Sequence, residues 1–139
     1  MKRILFSLIS LTLITSLVAG CPVAPVAVQA NVGDEFMLSI GQEAHISGEN
    51  LKIGFEDVIG DSRCPLDVTC IWEGRANILV QLTYDNTAYN VVLNEPGLTD
   101  HAMDTFLNYS IVFHLEPYPV EAANISKEDY RLRMTINRQ

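Results

Sequence analysis

From Glu35 onward, apolar side chains recur at every second position along the chain. Phe36, Leu38 and Ile40 form one stripe, and Leu51, Ile53 and Phe55 form the next. The longest stripe runs Ala76, Ile78, Val80, Leu82 and Tyr84, with Asn77, Gln81 and Thr83 between. Tyr89, Val91 and Leu93 follow, then Tyr109, Ile111, Phe113 and Leu115, and last Tyr130, Leu132, Met134 and Ile136. A period of two places apolar side chains on one face of an extended strand and polar ones on the other, the pattern of antiparallel strands with one face buried. Asp85-Asn86-Thr87 carries turn chemistry between two such stripes and predicts a hairpin. Seven or so short strands separated by Gly, Asn, Asp and Pro turns predict an all-β fold, a single antiparallel β-sandwich or small barrel. Only Val120 to Asp129 reads differently, as a single helical turn with Ser126 as its cap.

The N-terminus follows another pattern. Lys2 and Arg3 precede an apolar run from Ile4 to Ala19, the charged and hydrophobic regions of an export signal. The run is shorter than the ~20 residues of a spanning helix. Leu17-Val18-Ala19-Gly20-Cys21 resembles the lipobox of bacterial lipoproteins, in which cleavage precedes a cysteine that then carries lipid. The resemblance implies a signal peptide at 1–20 and Cys21 as a lipidated N-terminus, with palmitate among its acyl chains. Several chains on one residue would give a stable anchor where one is marginal. The alternative is ordinary signal cleavage after Ala30, where Val28-Gln29-Ala30 offers small residues. Pro22 is not the aspartate that commonly retains such lipoproteins at the inner membrane. The outer membrane is therefore expected in a two-membrane host, and the outer face of the cell membrane in a one-membrane host. Residues 21–33, rich in Ala, Val and Pro, read as a flexible tether, and 34–139 as the sandwich domain.

Loss of residues 1–20 would leave seven basic against seventeen acidic residues, a net charge of −10. Such a surface argues against nucleic acid as a partner and against lying flat on anionic lipid. Contact with the membrane is expected through the anchor alone.

With Cys21 assigned to lipid, Cys64 and Cys70 remain as a pair, and an exported protein meets an oxidising compartment, so a disulfide is expected. Closing so short a loop contributes about 2 kcal/mol on the chain-entropy estimate, so its role is to hold one loop rigid. Redox chemistry favours the tighter Cys-x-x-Cys spacing, and zinc needs about four ligands. Trp72, the only tryptophan, would cover the bond with a large apolar area if packed against it. Asp61, Arg63, Glu73 and Arg75 flank the loop and could pair across its neck as exposed ions.

The run Asp61-Ser62-Arg63-Cys64-Pro65, followed by Cys70, Trp72 and Gly74, resembles an SRCP…C.W.G pattern found in small, β-rich, functionally uncharacterised bacterial secreted and lipid-anchored proteins. About fourteen residues carry the resemblance. A small residue commonly follows the tryptophan in those proteins, whereas this chain has Glu73. The resemblance implies an envelope protein and brings no catalytic or ligand residues with it.

Candidate chemistry is sparse. Gly97 to Phe106 is the longest polar interruption besides the disulfide loop, and Asp100, His101 and Asp104 are weak candidate metal ligands in it, at no recognised spacing. His45 and His114 read as ordinary surface residues. There is no G-x-S-x-G elbow and no H-E-x-x-H, so no catalytic residue is assigned and no cofactor is expected. The leading expectation is a lipid-anchored binding or structural module of the cell envelope. Its contact surfaces would be the Gly97–Phe106 loop and the disulfide loop, with Arg63, Trp72 and Glu73 as candidate binding residues. The alternatives are a small exported hydrolase or metal-dependent enzyme around His101, and an inhibitor or accessory subunit that docks the disulfide loop into another envelope protein.

Overall fold

Nine strands account for most of the fold in a computed structural model describing residues 26–121 and 124–139. They are β1 (Val28–Ala30), β2 (Glu35–Ser39), β3 (Glu43–Ile46), β4 (Leu51–Asp61), β5 (Arg75–Tyr84), β6 (Thr87–Pro96), β7 (Ala102–Phe106), β8 (Tyr109–Glu116) and β9 (Arg131–Arg138). One sheet has the order β1-β3-β4-β5-β6 and the other β2-β9-β8-β7. The two face each other as an open sandwich, not a closed barrel. Every pairing is antiparallel except β1 with β3. The segment predicted to be an export signal, and Cys21, lie outside the described residues.

The period-two stripes become the core. Ala76, Ile78, Val80 and Leu82 of β5 are fully buried, as are Ile111 and Leu115 of β8 and Leu132, Met134 and Ile136 of β9, with Phe55 and Phe113 the largest side chains between the sheets. Burial of such side chains, about 1.5–3 kcal/mol each, selects the register: a one-residue slip would turn the whole stripe to water. The hairpin falls where Asp85-Asn86 predicts it, with φ of +47° and +63°, the left-handed pair that a two-residue turn between twisted strands requires.

Four expectations change. There are nine strands, because two are too short for their alternation to stand out. One is β1, which lies inside the segment read as a tether: Ala30 is buried, and its carbonyl accepts the Ser47 N–H at 2.7 Å. The other is β7, which occupies residues 102–106 of the predicted polar loop. The stripe of β6 is buried only at Leu93, while Tyr89 is 42% exposed; on this edge strand Tyr89 meets the facing sheet at the Phe106 ring, 5.3 Å between centroids. Last, the helical turn is a 3-10 turn at Lys127–Asp129 that Ser126 precedes without a side-chain capping bond.

Candidate functional site

The disulfide loop joins β4 to β5 and opens from a narrow neck. Ser62 N–H donates to Arg75 O at 2.9 Å and Cys64 N–H to Glu73 O at 2.8 Å, and Gly97 N–H donates to Gly74 O at 3.0 Å. The last bond ties the β6–β7 crossover to the loop, so the two expected contact regions sit side by side. Gly74 takes φ +67°, which a glycine adopts without penalty. The Cys64–Cys70 disulfide is formed, with Cα atoms 6.0 Å apart.

Arg63 is not a contact residue. Its side chain is completely buried, and it joins the loop to the opposite sheet. Nε and Nη2 clamp Asp61 at 2.9 and 2.6 Å, Nη1 donates to Leu115 O at 2.7 Å, and Nη2 also donates to Pro117 O at 3.1 Å. The guanidinium lies 4.8 Å from the Tyr118 ring centroid, within cation–π range. The expected exposed pairing across the neck is thus replaced by a buried pair within one strand end. Burial alone would raise the Asp61 carboxyl, but the hydrogen bonds and charge of Arg63, with the Tyr130 hydroxyl at 3.1 Å, hold it below its ordinary value. Tyr130 is pushed up to about 12 by its own burial and by the adjacent Asp61 charge.

The reason for this cluster lies in strand lengths. β7 pairs with β8 only as far as Ala102 opposite Phe113, which leaves the next outward-facing backbone groups of β8 without a strand on that side, β9 pairing only the other. Such groups need partners. Arg63 takes the Leu115 carbonyl, and the fully buried Glu95 accepts the Leu115 N–H at 2.9 Å and meets His114 Nδ1 at 2.5 Å. One side chain from the disulfide loop and one from β6 therefore stand in for the missing end of β7. Glu95 was legible as an inward position, since it continues the Tyr89, Val91, Leu93 stripe, but its partners are set by tertiary contacts.

His114, which alternation alone places on the surface, lines a groove of about 260 Å³ with Asp100, His101, Glu35 and Arg133. Arg133 is held there by an ion pair with Glu116. Asp104 does not line this groove, and among the described residues no three His, Cys, Asp or Glu side chains are placed to share a metal ion.

No family model, curated protein or solved structure matches this chain.

Trp72 does not cover the disulfide. It is 80% exposed, Ile71 is 93% exposed, and Leu66 and Leu98 are about two-thirds exposed. Leu98 is held at φ +61°, its N–H donating to the Tyr118 hydroxyl at 2.7 Å, and Leu66 N–H donates to Pro119 O at 3.1 Å. The same end of the sandwich therefore buries an arginine and exposes large apolar side chains, on a loop fixed by a disulfide and by backbone bonds to two neighbouring segments. Glu73 beside Trp72 is exposed as well.

Proposed function

We propose that this chain is an exported, lipid-anchored binding module of the cell envelope, which grips a protein partner through the Cys64–Cys70 loop. The observation that carries the reading is the division of labour within the Arg63-to-Gly74 segment. Arg63, Cys64, Cys70 and Gly74 each have a structural role in the loop, whereas Trp72 and Ile71 lie in water with none. Large exposed apolar side chains grouped on a rigid support are the usual anchors of protein interfaces. Fixing the loop beforehand lowers the ordering cost of association. Asp67, Glu73 and Glu121 surround the apolar tip with negative charge, so the matching surface is an apolar pocket with a basic rim. The export signal and the lipobox-like Leu17–Cys21 run support the location, and the SRCP…C.W.G resemblance is consistent with it.

Two measurements test the proposal. Trp72→Ser should leave stability within about 0.5 kcal/mol, as for exposed positions generally, while cross-linking to the envelope partner captured by the unaltered protein drops at least tenfold. Equal capture by both proteins would remove the loop from the interface. Intact mass of the protein from its own membrane fraction should show an acylated Cys21 as the first residue. A soluble chain beginning at Asn31 would replace the anchor with ordinary secretion.

A further inference from the structure

The two sheets end in edges of different kinds. β1 is three residues long, and β7 is five with Asp104 along it. β2 is also five residues long and carries Glu35. Short length and charge are the ordinary means by which edge strands avoid pairing with other chains. β6 has neither protection. It runs ten residues, pairs with β5 from Tyr84 opposite Thr87 to Arg75 opposite Pro96 without a register shift, and from Thr87 to Asn94 holds no charge and no proline.

The tight turn at Asp85-Asn86 sets which backbone groups face outward. Tyr84 and Thr87 close a two-residue hairpin, so Thr87, Tyr89, Val91 and Leu93 bond toward β5 while Ala88, Asn90, Val92 and Asn94 turn theirs away. The hydrogen bonds agree: the Val92 carbonyl takes the Asn94 Nδ2 at 3.3 Å, and among the described residues no loop or turn backbone group bonds to Ala88, Asn90 or Asn94. A row of alternate donors and acceptors of this kind is satisfied by another extended strand.

We propose that the occupant is a second copy of the same strand, and that the protein forms a two-fold homodimer joined edge to edge along β6. An antiparallel pairing centred on Val91 is self-complementary: Asn90 meets Val92 of the second copy, and Ala88 meets Asn94. The outward groups then fall opposite one another in the bonded positions, and the interface is isologous. Charge points to the same seam. In a chain of net charge −8, two copies repel one another overall, whereas β6 brings uncharged residues together, since Glu95 is turned inward and buried. Tyr89 and Val92, both about 40% exposed, gain cover from the opposing strand. The Asn94 side chain leaves the Val92 carbonyl as the second strand takes its place. The two five-stranded sheets become one of ten strands.

The full chain in density-matched detergent should sediment with twice the protomer mass across a concentration series. Val91→Cys places two thiols at a non-bonded pair on the axis, where Cα atoms are about 4.5 Å apart, within disulfide reach. It should give an oxidised dimer in which peptide mass spectrometry finds the two introduced thiols joined to each other, whereas Asn90→Cys, off the axis, should not. Asn90→Pro removes one outward N–H and no backbone bond to β5, losing on that side only the exposed side-chain bond from Gln81 Nε2 at 3.4 Å, and Val92→Lys places like charges across the seam; both should sediment as monomers with the Cys64–Cys70 disulfide intact. A protomer mass for the unaltered chain, or equal cross-linking by the two cysteine variants, overturns the proposal.

Discussion

Arg63→Ala is expected to destabilise the fold by about 3–5 kcal/mol, the range for removing one partner of a buried ion pair. The loss exceeds that of a typical salt bridge because the guanidinium holds the Asp61 carboxylate and the Leu115 and Pro117 carbonyls at once, with the buried Glu95 carboxylate 3.6 Å from Nη1. Without it Asp61 stays largely buried as an unpaired charge, and the Leu115 carbonyl loses its stand-in for a β7 neighbour. Arg63→Lys retains a charge but not the planar fork, and should recover only part of the loss. Urea unfolding monitored by far-ultraviolet circular dichroism measures both. A change under 1 kcal/mol for Arg63→Ala would mean that the cluster is not a determinant of stability. The same pair predicts a pH dependence. The folded Asp61 carboxyl ionises at lower pH than the unfolded one, so its contribution is present above the unfolded value of about 3.9 and is lost as pH falls through the folded value. The unaltered protein should therefore lose this stability below about pH 4, and Arg63→Ala should show a flatter acid limb.

Gly74→Ala is the second large effect. At φ +67° a side chain is strained, by roughly 1–3 kcal/mol, and a Cβ there would overlap the Ser62 carbonyl and crowd the backbone of Arg63. Backbone cannot swing aside as a flexible side chain does, so relief requires opening the neck. A further overpacking cost of about 1–3 kcal/mol follows, for a total of about 2–6 kcal/mol. Gly41→Ala separates the two causes: Gly41 has φ +82° but open space around the would-be Cβ, so it should lose only the conformational part. Equal midpoint shifts in thermal unfolding for the two variants would show that the crowding at the neck relaxes freely.

The stripes were legible because burial imposes the period: Ala76 to Leu82, Tyr109 to Leu115 and Leu132 to Ile136 each read as one face of a strand and are one. The Asp85-Asn86 turn was legible because few residues tolerate its backbone. The Arg63 cluster was not, since an arginine beside an aspartate and two cysteines has the composition of a solvated loop. What buries it is the mismatch in length between β7 and β8, which no local pattern records. Of the two readings of Trp72, cover for the disulfide and contact residue, the first fails for a related reason. A lone tryptophan beside a disulfide suits a small core, and nothing in the sequence marks that the core is complete without it. β1 escaped because three residues cannot display an alternation.

The order of β2-β9-β8-β7 also bears on when the sandwich can assemble. β9, the last strand in the chain, lies between β2 and β8, so its two neighbours have nothing to pair with between them until residue 138 is available. The first sheet, by contrast, is complete by residue 96. A chain emerging from its N-terminus, whether from a ribosome or through a translocation pore, can therefore assemble one layer but cannot cover it. Closing that layer requires contacts nearly a hundred residues apart, Phe36 with Met134 among them, and contacts of such separation form slowly. The topology keeps the second sheet open at its centre until β9 has been made.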